Sequence, residues 1–220
     1  MTSDARTRTS SKPVREGLAH KRAAILAAAR ELFVTHGVER TSMDAVAAEA
    51  GVSKRTVYDY YGDKHGLLLA VVEAAGESLI GTLREAIDEH LSDEADLRSP
   101  ADLEQALTRF AVSIGESMLG SSDYTATVRL ITENGALLPE LADHPLNVAP
   151  EEAVAERLAH FTSVGLLEAE DPRLAADHFN ALTTLLAFGT HQPGPVDTDR
   201  VRQIMVDGVH AFMRAYGTRS

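Results

Sequence analysis

Residues 41–64, TSMDAVAAEAGVSKRTVYDYYGDK, constrain the fold more than any other stretch of the chain. Thr41 stands where a side-chain oxygen caps a helix, and Asp44 follows at the spacing of a capping-box partner. Met43, Val46, Ala47 and Ala50 recur at helical spacing and make one apolar face. Gly51 then supplies the left-handed residue that a helix stop commonly needs. Ser53 caps a second helix, Lys54 to about Tyr61, with Val52, Val57 and Tyr61 inward and Lys54, Arg55, Tyr58 and Asp59 outward. This is the pattern of a helix-turn-helix whose second helix enters a DNA major groove. Spacing alone also admits two short amphipathic helices of an all-α protein that never meets DNA.

Residue identity narrows that choice. The run AGVSKRTVYDYYGDKHGLL resembles the DNA-binding domain of the TetR family of transcriptional repressors. The matching positions are Thr41-Ser42, Ala50-Gly51-Val52-Ser53, Thr56-Val57-Tyr58, the aromatic pair Tyr60-Tyr61, and Lys64 opening the next helix. The resemblance is strong over roughly residues 18–70 and architectural beyond. It implies an all-α chain: a flexible tail at 1–16, a three-helix DNA-binding domain at 17–66, and a larger effector-binding and dimerisation domain at 67–220. It also implies DNA contacts by Thr41, Ser42, Lys54, Arg55, Thr56, Tyr58, Tyr60 and Lys64. Lys54 and Arg55 are the base readers, because a cationic side chain donates to guanine O6 and N7. By the same resemblance Thr56, Tyr58 and Tyr60 are expected to grip phosphates or the sugar backbone, with a thymine methyl as an alternative contact for Tyr58. Thr41 or Ser42 is expected to donate to a phosphate, and Lys64 to sit on a phosphate at a helix N-terminus. Tyr60 departs from the histidine common in the family, and Gly66 is expected to fray the start of the following helix. Asp59 is unusual on a DNA-facing helix: it accepts from a cytosine amine, pairs with a neighbouring arginine, or lies off the groove.

The net charge of −12 opposes DNA binding only until it is divided. Residues 1–66 hold 11 Lys and Arg against 8 Asp and Glu, while residues 67–220 hold 10 against 25. Attraction to DNA is set by the local patch within about a Debye length, not by the chain total. The absence of cysteine excludes disulfides and thiolate chemistry. No run approaches 18 uninterrupted apolar residues and no apolar segment follows the basic N-terminus, so a cytoplasmic protein without a membrane span is expected. The nine histidines show no metal-ligand spacing, and neither a phosphate loop nor a nucleophile elbow occurs. No catalytic residue, metal or cofactor is therefore expected. The competing non-enzymes are an activator-type regulator, which no residue separates from a repressor, and a helical adaptor with a vestigial DNA domain, against which Lys54, Arg55, Tyr58 and Lys64 argue.

Along the chain, Arg6, Arg8, Lys12 and Arg15 in the tail are candidates for a minor-groove arm or a merely solvated leader. Periodicity predicts helices at about 18–36, 63–91, 101–119, 124–134, 151–164, 171–191 and 198–216, besides the helix-turn-helix. The long fourth helix is expected to join both domains. The prolines at 139, 145 and 150 break the segment before residue 151. The resemblance implies a homodimer on an inverted-repeat operator, joined through the last two helices, with Phe179, Leu182, Leu186, Met205 and Phe212 as interface candidates. It also implies release by a small, mostly hydrophobic effector. Phe110, Met118 and Phe161 are the apolar pocket candidates, and Arg129, Glu133, Asn134 and His178 the polar ones. Each of these seven residues is also explained by an ordinary structural role, such as an Arg129–Glu133 pair along one helix.

Overall fold

A computed structural model describes residues 12–93, 96–141, 144, 148–188 and 197–218. Among these residues there is no strand; the only bridge is an isolated antiparallel pairing of Leu167 with Gly217. The chain divides into two compact units. One comprises the chain up to Ala74 together with Arg129–Leu137, and the other comprises Ala75–Val128 and the chain from Leu138 onward.

The first unit opens with α1, Lys12–His36. This helix begins six residues before the expected Leu18, so residues 12–16, read from sequence as tail, are helical; Pro13 in the first turn is compatible because no intrahelical N–H is required there. Arg6 and Arg8 lie outside the described residues, while Lys12 and Arg15 fall in the first turn of α1. The short helices α2 (Met43–Glu49) and α3 (Lys54–Tyr61) follow. Ile25, Ala29, Phe33, Met43, Val46, Ala47 and Val57 are buried from these three helices. Gly51, at φ 64°, turns the chain between α2 and α3, and the amide of Val52 reaches back to Ala47 O at 3.0 Å.

Helix α4 runs from Lys64 to His90. Asp63 Oδ1 accepts from the Gly66 amide at 2.8 Å, which caps its first turn. Gly66 does not loosen this turn, contrary to expectation. A Cβ there would collide with the carbonyl oxygen of Tyr61, so glycine is what lets α4 start directly against the end of α3. Among the described residues, α4 is the one helix long and apolar enough to cross a membrane. Its apolarity has a packing explanation: Leu67, Leu68, Val71, Val72, Ile80, Leu83, Ala86 and Ile87 are all buried.

The second unit is built on α5 (Pro100–Gly120), α7 (Ala149–Ser163), α8 (Pro172–Asn180) and α10 (Thr198–Tyr216). Helix α6 spans Ser122–Asn134, and the proline-interrupted segment forms short 3-10 turns at Gly135–Leu137 and Pro139–Leu141. Pro145 and the turn expected at residues 191–196 lie outside the described residues. Serine and aspartate cap α5, α8 and α10 at Ser99, Asp171 and Asp197. The core gathers Leu103, Leu107, Phe110, Leu158, Phe161, Phe179, Met205, Val209 and Phe212. Phe179 packs edge-on to Phe212 at 5.3 Å between ring centroids.

The penultimate helix is not regular. After α8 the chain widens into a π-helical turn at Ala181–Leu185 and closes with α9, Leu186–Phe188. Thr183 is buried there and donates to Phe179 O at 2.6 Å. Gly208 of α10 makes room for the bulge: a Cβ at that position would strike the carbonyl of Leu182. Such π-turns are rare and are frequently found at functional sites.

Candidate nucleic-acid interface and apolar cavity

The helix-turn-helix presents a compact set of polar and aromatic groups on α3. Ser53 caps it, its oxygen accepting from the Thr56 amide at 3.1 Å and lying 2.8 Å from the Thr56 hydroxyl. Val57 is fully buried and fixes the helix on the core, leaving Lys54, Arg55, Tyr58 and Asp59 exposed. Lys54 Nζ is 2.7 Å from Asp44 Oδ1, and this hydrogen-bonded partner holds the ammonium above its ordinary pKa. Lys54 Nζ also lies 5.9 Å from the centre of the Tyr58 ring. Arg55 makes only a loose contact with Asp59, 3.6 Å, so this aspartate pairs along its own helix. Tyr60 is half-buried, with the Arg22 guanidinium 6.0 Å from its ring centre. Burial raises the Tyr61 hydroxyl above its ordinary pKa. Lys64, half-buried, donates to Glu39 O at 3.0 Å.

Thr41 does not stand on this surface. It is 4% exposed, and its hydroxyl lies 2.9 Å from Gly37 O and 3.2 Å from Leu32 O, both at the end of α1. Its γ-oxygen is spent tying α1 to the turn. Ser42, not Thr41, caps α2, accepting from the Ala45 amide at 3.1 Å. Of the two hydroxyls expected near a phosphate, only Ser42 is exposed.

In the second unit, α4, α5, α7, α8 and the π-turn surround a cavity of about 250 Å³. Small-molecule sites typically occupy roughly 300–1,000 Å³, so this one suits a compact ligand. Leu79, Leu83, Phe110, Ala111, Ile114, Met118, Val154 and Phe179 make most of its wall; Glu151, Asn180, Thr183 and Thr184 add polar groups. Two expected pocket residues, Phe110 and Met118, therefore line it. The other five do not. Phe161 is sealed in the core beside His160 and Arg157. Arg129 and Glu133 form an exposed pair at 2.8 Å, and Asn134 donates to Leu130 O at 3.0 Å; all three belong to the first unit. His178 Nδ1 lies 2.5 Å from the Tyr216 hydroxyl, off the cavity. The residues missed were Glu151 at a helix start and the Asn180, Thr183, Thr184 group. Polar and β-branched residues in mid-helix were the available signal.

Three interface candidates are also core. Phe179, Met205 and Phe212 are 4%, 1% and 0% exposed within one chain, so they have no surface left for a partner. Leu182 is half-buried and Leu186 is exposed. On α8, the π-turn and α9, Leu174, Leu185 and Leu186 leave apolar surface exposed.

A capped three-helix module with an exposed cationic recognition helix, carried by a chain whose remainder is a helical domain with its own cavity, defines a helix-turn-helix transcription regulator. Comparison with known proteins agrees. Residues 25–71 match the model of the bacterial regulatory proteins of the tetR family, and residues 105–218, about half the chain, match that of the AefR-like transcriptional repressor C-terminal domain. The chain belongs to the TetR family and is a DNA-binding transcription regulator, not an enzyme. The HTH-type transcriptional regulator EthR of Mycolicibacterium smegmatis is 33% identical over 145 residues, 65% of this chain and 61% of that protein. The HTH-type transcriptional activator FasR of the same organism is 33% identical over 82 residues, 37% of each chain. These matches thus span less than two thirds of either relative. The structure of the flavonoid-responsive regulator FrrA superposes with a TM-score of 0.67 at 28% identity, covering 92% of this chain and all of that one.

Proposed function

We infer that the protein is a repressor that binds an inverted-repeat operator as a homodimer and leaves it when a small, largely apolar effector fills the cavity. One observation carries this reading: a helix-turn-helix module and a largely apolar cavity occur on one chain, and α4 contributes residues to both units. Arg55, Lys54 and Tyr58 read or grip DNA, with Ser42, Thr56, Tyr60 and Lys64 on the backbone. The dimer forms through the apolar surface of Leu174, Leu185 and Leu186 and the outer face of α10. The domain boundary expected near residue 66 and a cytoplasmic location are part of the same reading. Release requires the effector to prefer the DNA-incompetent state; moving nearly all molecules across takes about 10⁴-fold preference.

The test is a mobility shift of the full chain on DNA from upstream of its own gene, over a salt series and against unrelated DNA. Specific binding to a short inverted repeat, lost on adding small apolar compounds, is expected. Sequence-blind binding under all conditions overturns the reading. Activation is the second reading, favoured by the name of the FasR relative. A reporter behind the bound site separates the two: deletion of the regulator raises expression for a repressor and lowers it for an activator.

A further inference from the structure

Among the described residues, the cavity wall carries one ionisable group, and one of its oxygens has no hydrogen-bond partner. That group is Glu151; no lysine, arginine or histidine among the described residues lines the wall. Its Oε2 is buried and accepts no hydrogen bond. A buried carboxylate oxygen without a donor is costly, and native proteins rarely keep one without a use. Position in the helix does not explain it. Glu151 and Glu152 both stand in the first turn of α7, where acidic residues suit the helix dipole. Glu152 turns outward and pairs with Arg173 at 3.2 Å. Glu151 turns into an apolar chamber. There Phe110 and Phe179 stand 6.1 Å apart, centroid to centroid, and both line the cavity. Aromatic rings that share a cavity with a carboxylate suit a cation, which a ring face attracts through its quadrupole.

We propose that Glu151 is the anchor of the effector site and that the effector is a compact lipophilic amine, its ammonium donating to the Glu151 carboxylate while its apolar body packs on Phe110, Met118 and Phe179. The proposal rests on the cavity being the effector site. It excludes acyl carboxylates as the favoured class, because an anion would meet the Glu151 charge with no cation to offset it. The π-turn contributes neutral polar groups, Thr183 and Thr184, opposite no charge of their own, so selectivity for an amine over a neutral alcohol falls to Glu151.

The experiment is isothermal titration calorimetry of the full chain with three matched probes: naphthylmethylamine, naphthylmethanol and naphthoate. It uses the wild type, Glu151→Gln and, as a control in the same helical turn, Glu152→Gln; circular dichroism verifies that each variant is folded. The expected result is amine binding at least tenfold tighter than alcohol, with naphthoate weakest. Glu151→Gln removes the amine preference and leaves alcohol binding in place, and Glu152→Gln changes neither. Equal amine and alcohol binding, unmoved by Glu151→Gln, overturns the role of Glu151 while leaving the cavity as an apolar site. Failure of all three probes to bind the wild type overturns the cavity as an effector site and this inference with it.

Discussion

The recognition helix and the cavity differ in how their parts are brought together. The residues of the helix-turn-helix lie within 24 consecutive positions, Thr41–Lys64, and are positioned by caps, the positive-φ glycines Gly51 and Gly62, and the buried valines Val46 and Val57. The cavity draws its wall from Leu79 to Leu185, across five helical segments. A site built by local rules is set by residue spacing. A site built by packing is set by which faces of distant helices meet, and in this chain one of those helices carries a π-turn.

The largest expected effect separates core from surface in the second unit. Phe212→Ala removes a fully buried ring between Phe179 and Tyr216, and such truncations cost about 3–5 kcal/mol. Leu186→Ala removes a side chain that is 52% exposed. Thermal unfolding should show a large fall for Phe212→Ala and little change for Leu186→Ala. Sedimentation of the folded Leu186→Ala protein should show weakened association. A tight, unaltered dimer in that variant would move the interface off this surface.

That contrast also bears on what was legible from sequence. Apolar periodicity located α4, α5, α7 and α10 to within a few residues, because heptad-scale stripes are a local property. It did not distinguish an inward apolar residue from an outward one on the same stripe. Leu186 and Phe179 stand seven positions apart, yet the π-turn between them shifts the register, so one is solvent-facing and the other core. Nor did spacing separate Glu151 from Glu152, since which of two adjacent acids turns inward is decided by the helices across from it. Among the expected DNA contacts, the misplaced group was Thr41. Two adjacent hydroxyls both satisfied the capping pattern, and the backbone gave the cap to Ser42 and the buried bond to Thr41.

The second prediction tests the local character of the DNA-reading surface. Arg55 is the more weakly paired of the two expected base readers, its Nε 3.6 Å from Asp59. Arg55→Ala should relax preference at one operator position per half-site by about 1–3 kcal/mol, measured by competition with base-substituted duplexes. A uniform loss on every duplex would make it a phosphate contact. Lys64→Ala should instead lower affinity for all sequences alike and flatten the salt dependence by about one unit of slope. An unchanged salt slope would confine Lys64 to its bond with Glu39 O.

A smaller effect separates the two hydroxyls at the turn. Thr41→Val keeps the shape of a buried side chain and deletes its bonding to Gly37 O and Leu32 O. The expected loss is about 0.5–1.5 kcal/mol of stability, read by denaturant unfolding, with operator affinity unchanged once the protein is folded. Ser42→Ala should lose a comparable cap and, being exposed, also weaken DNA binding. Loss of DNA affinity in folded Thr41→Val would return Thr41 to the interface.

The smallest effect opposes the two regions in pH. In the second unit Asp102 is held below the ordinary carboxylate value of 3.8, first by the Ser99 hydroxyl that donates to it at 2.7 Å and then by the Arg98 amide. Asp93 is depressed likewise by the Arg157 guanidinium at 2.7 Å. A carboxyl whose folded value lies below its unfolded one stabilises the fold above the unfolded value, and that contribution disappears as pH falls through the folded value. Lys54 has the opposite sign. Its value is raised above 10.5 by Asp44, so its contribution is complete at neutral pH and is lost only as pH climbs past the raised value. Asp93 and Lys54 are solvent-exposed and Asp102 is half-buried at the surface, so screening keeps each effect modest. Unfolding midpoints followed from neutral pH down to about pH 3 should therefore fall less in Asp102→Asn than in the wild type. Lys54→Met should leave that acid limb unaltered and flatten only the alkaline one. An acid limb identical in wild type and Asp102→Asn would mean that the Ser99–Asp102 cap adds nothing once the helix is packed.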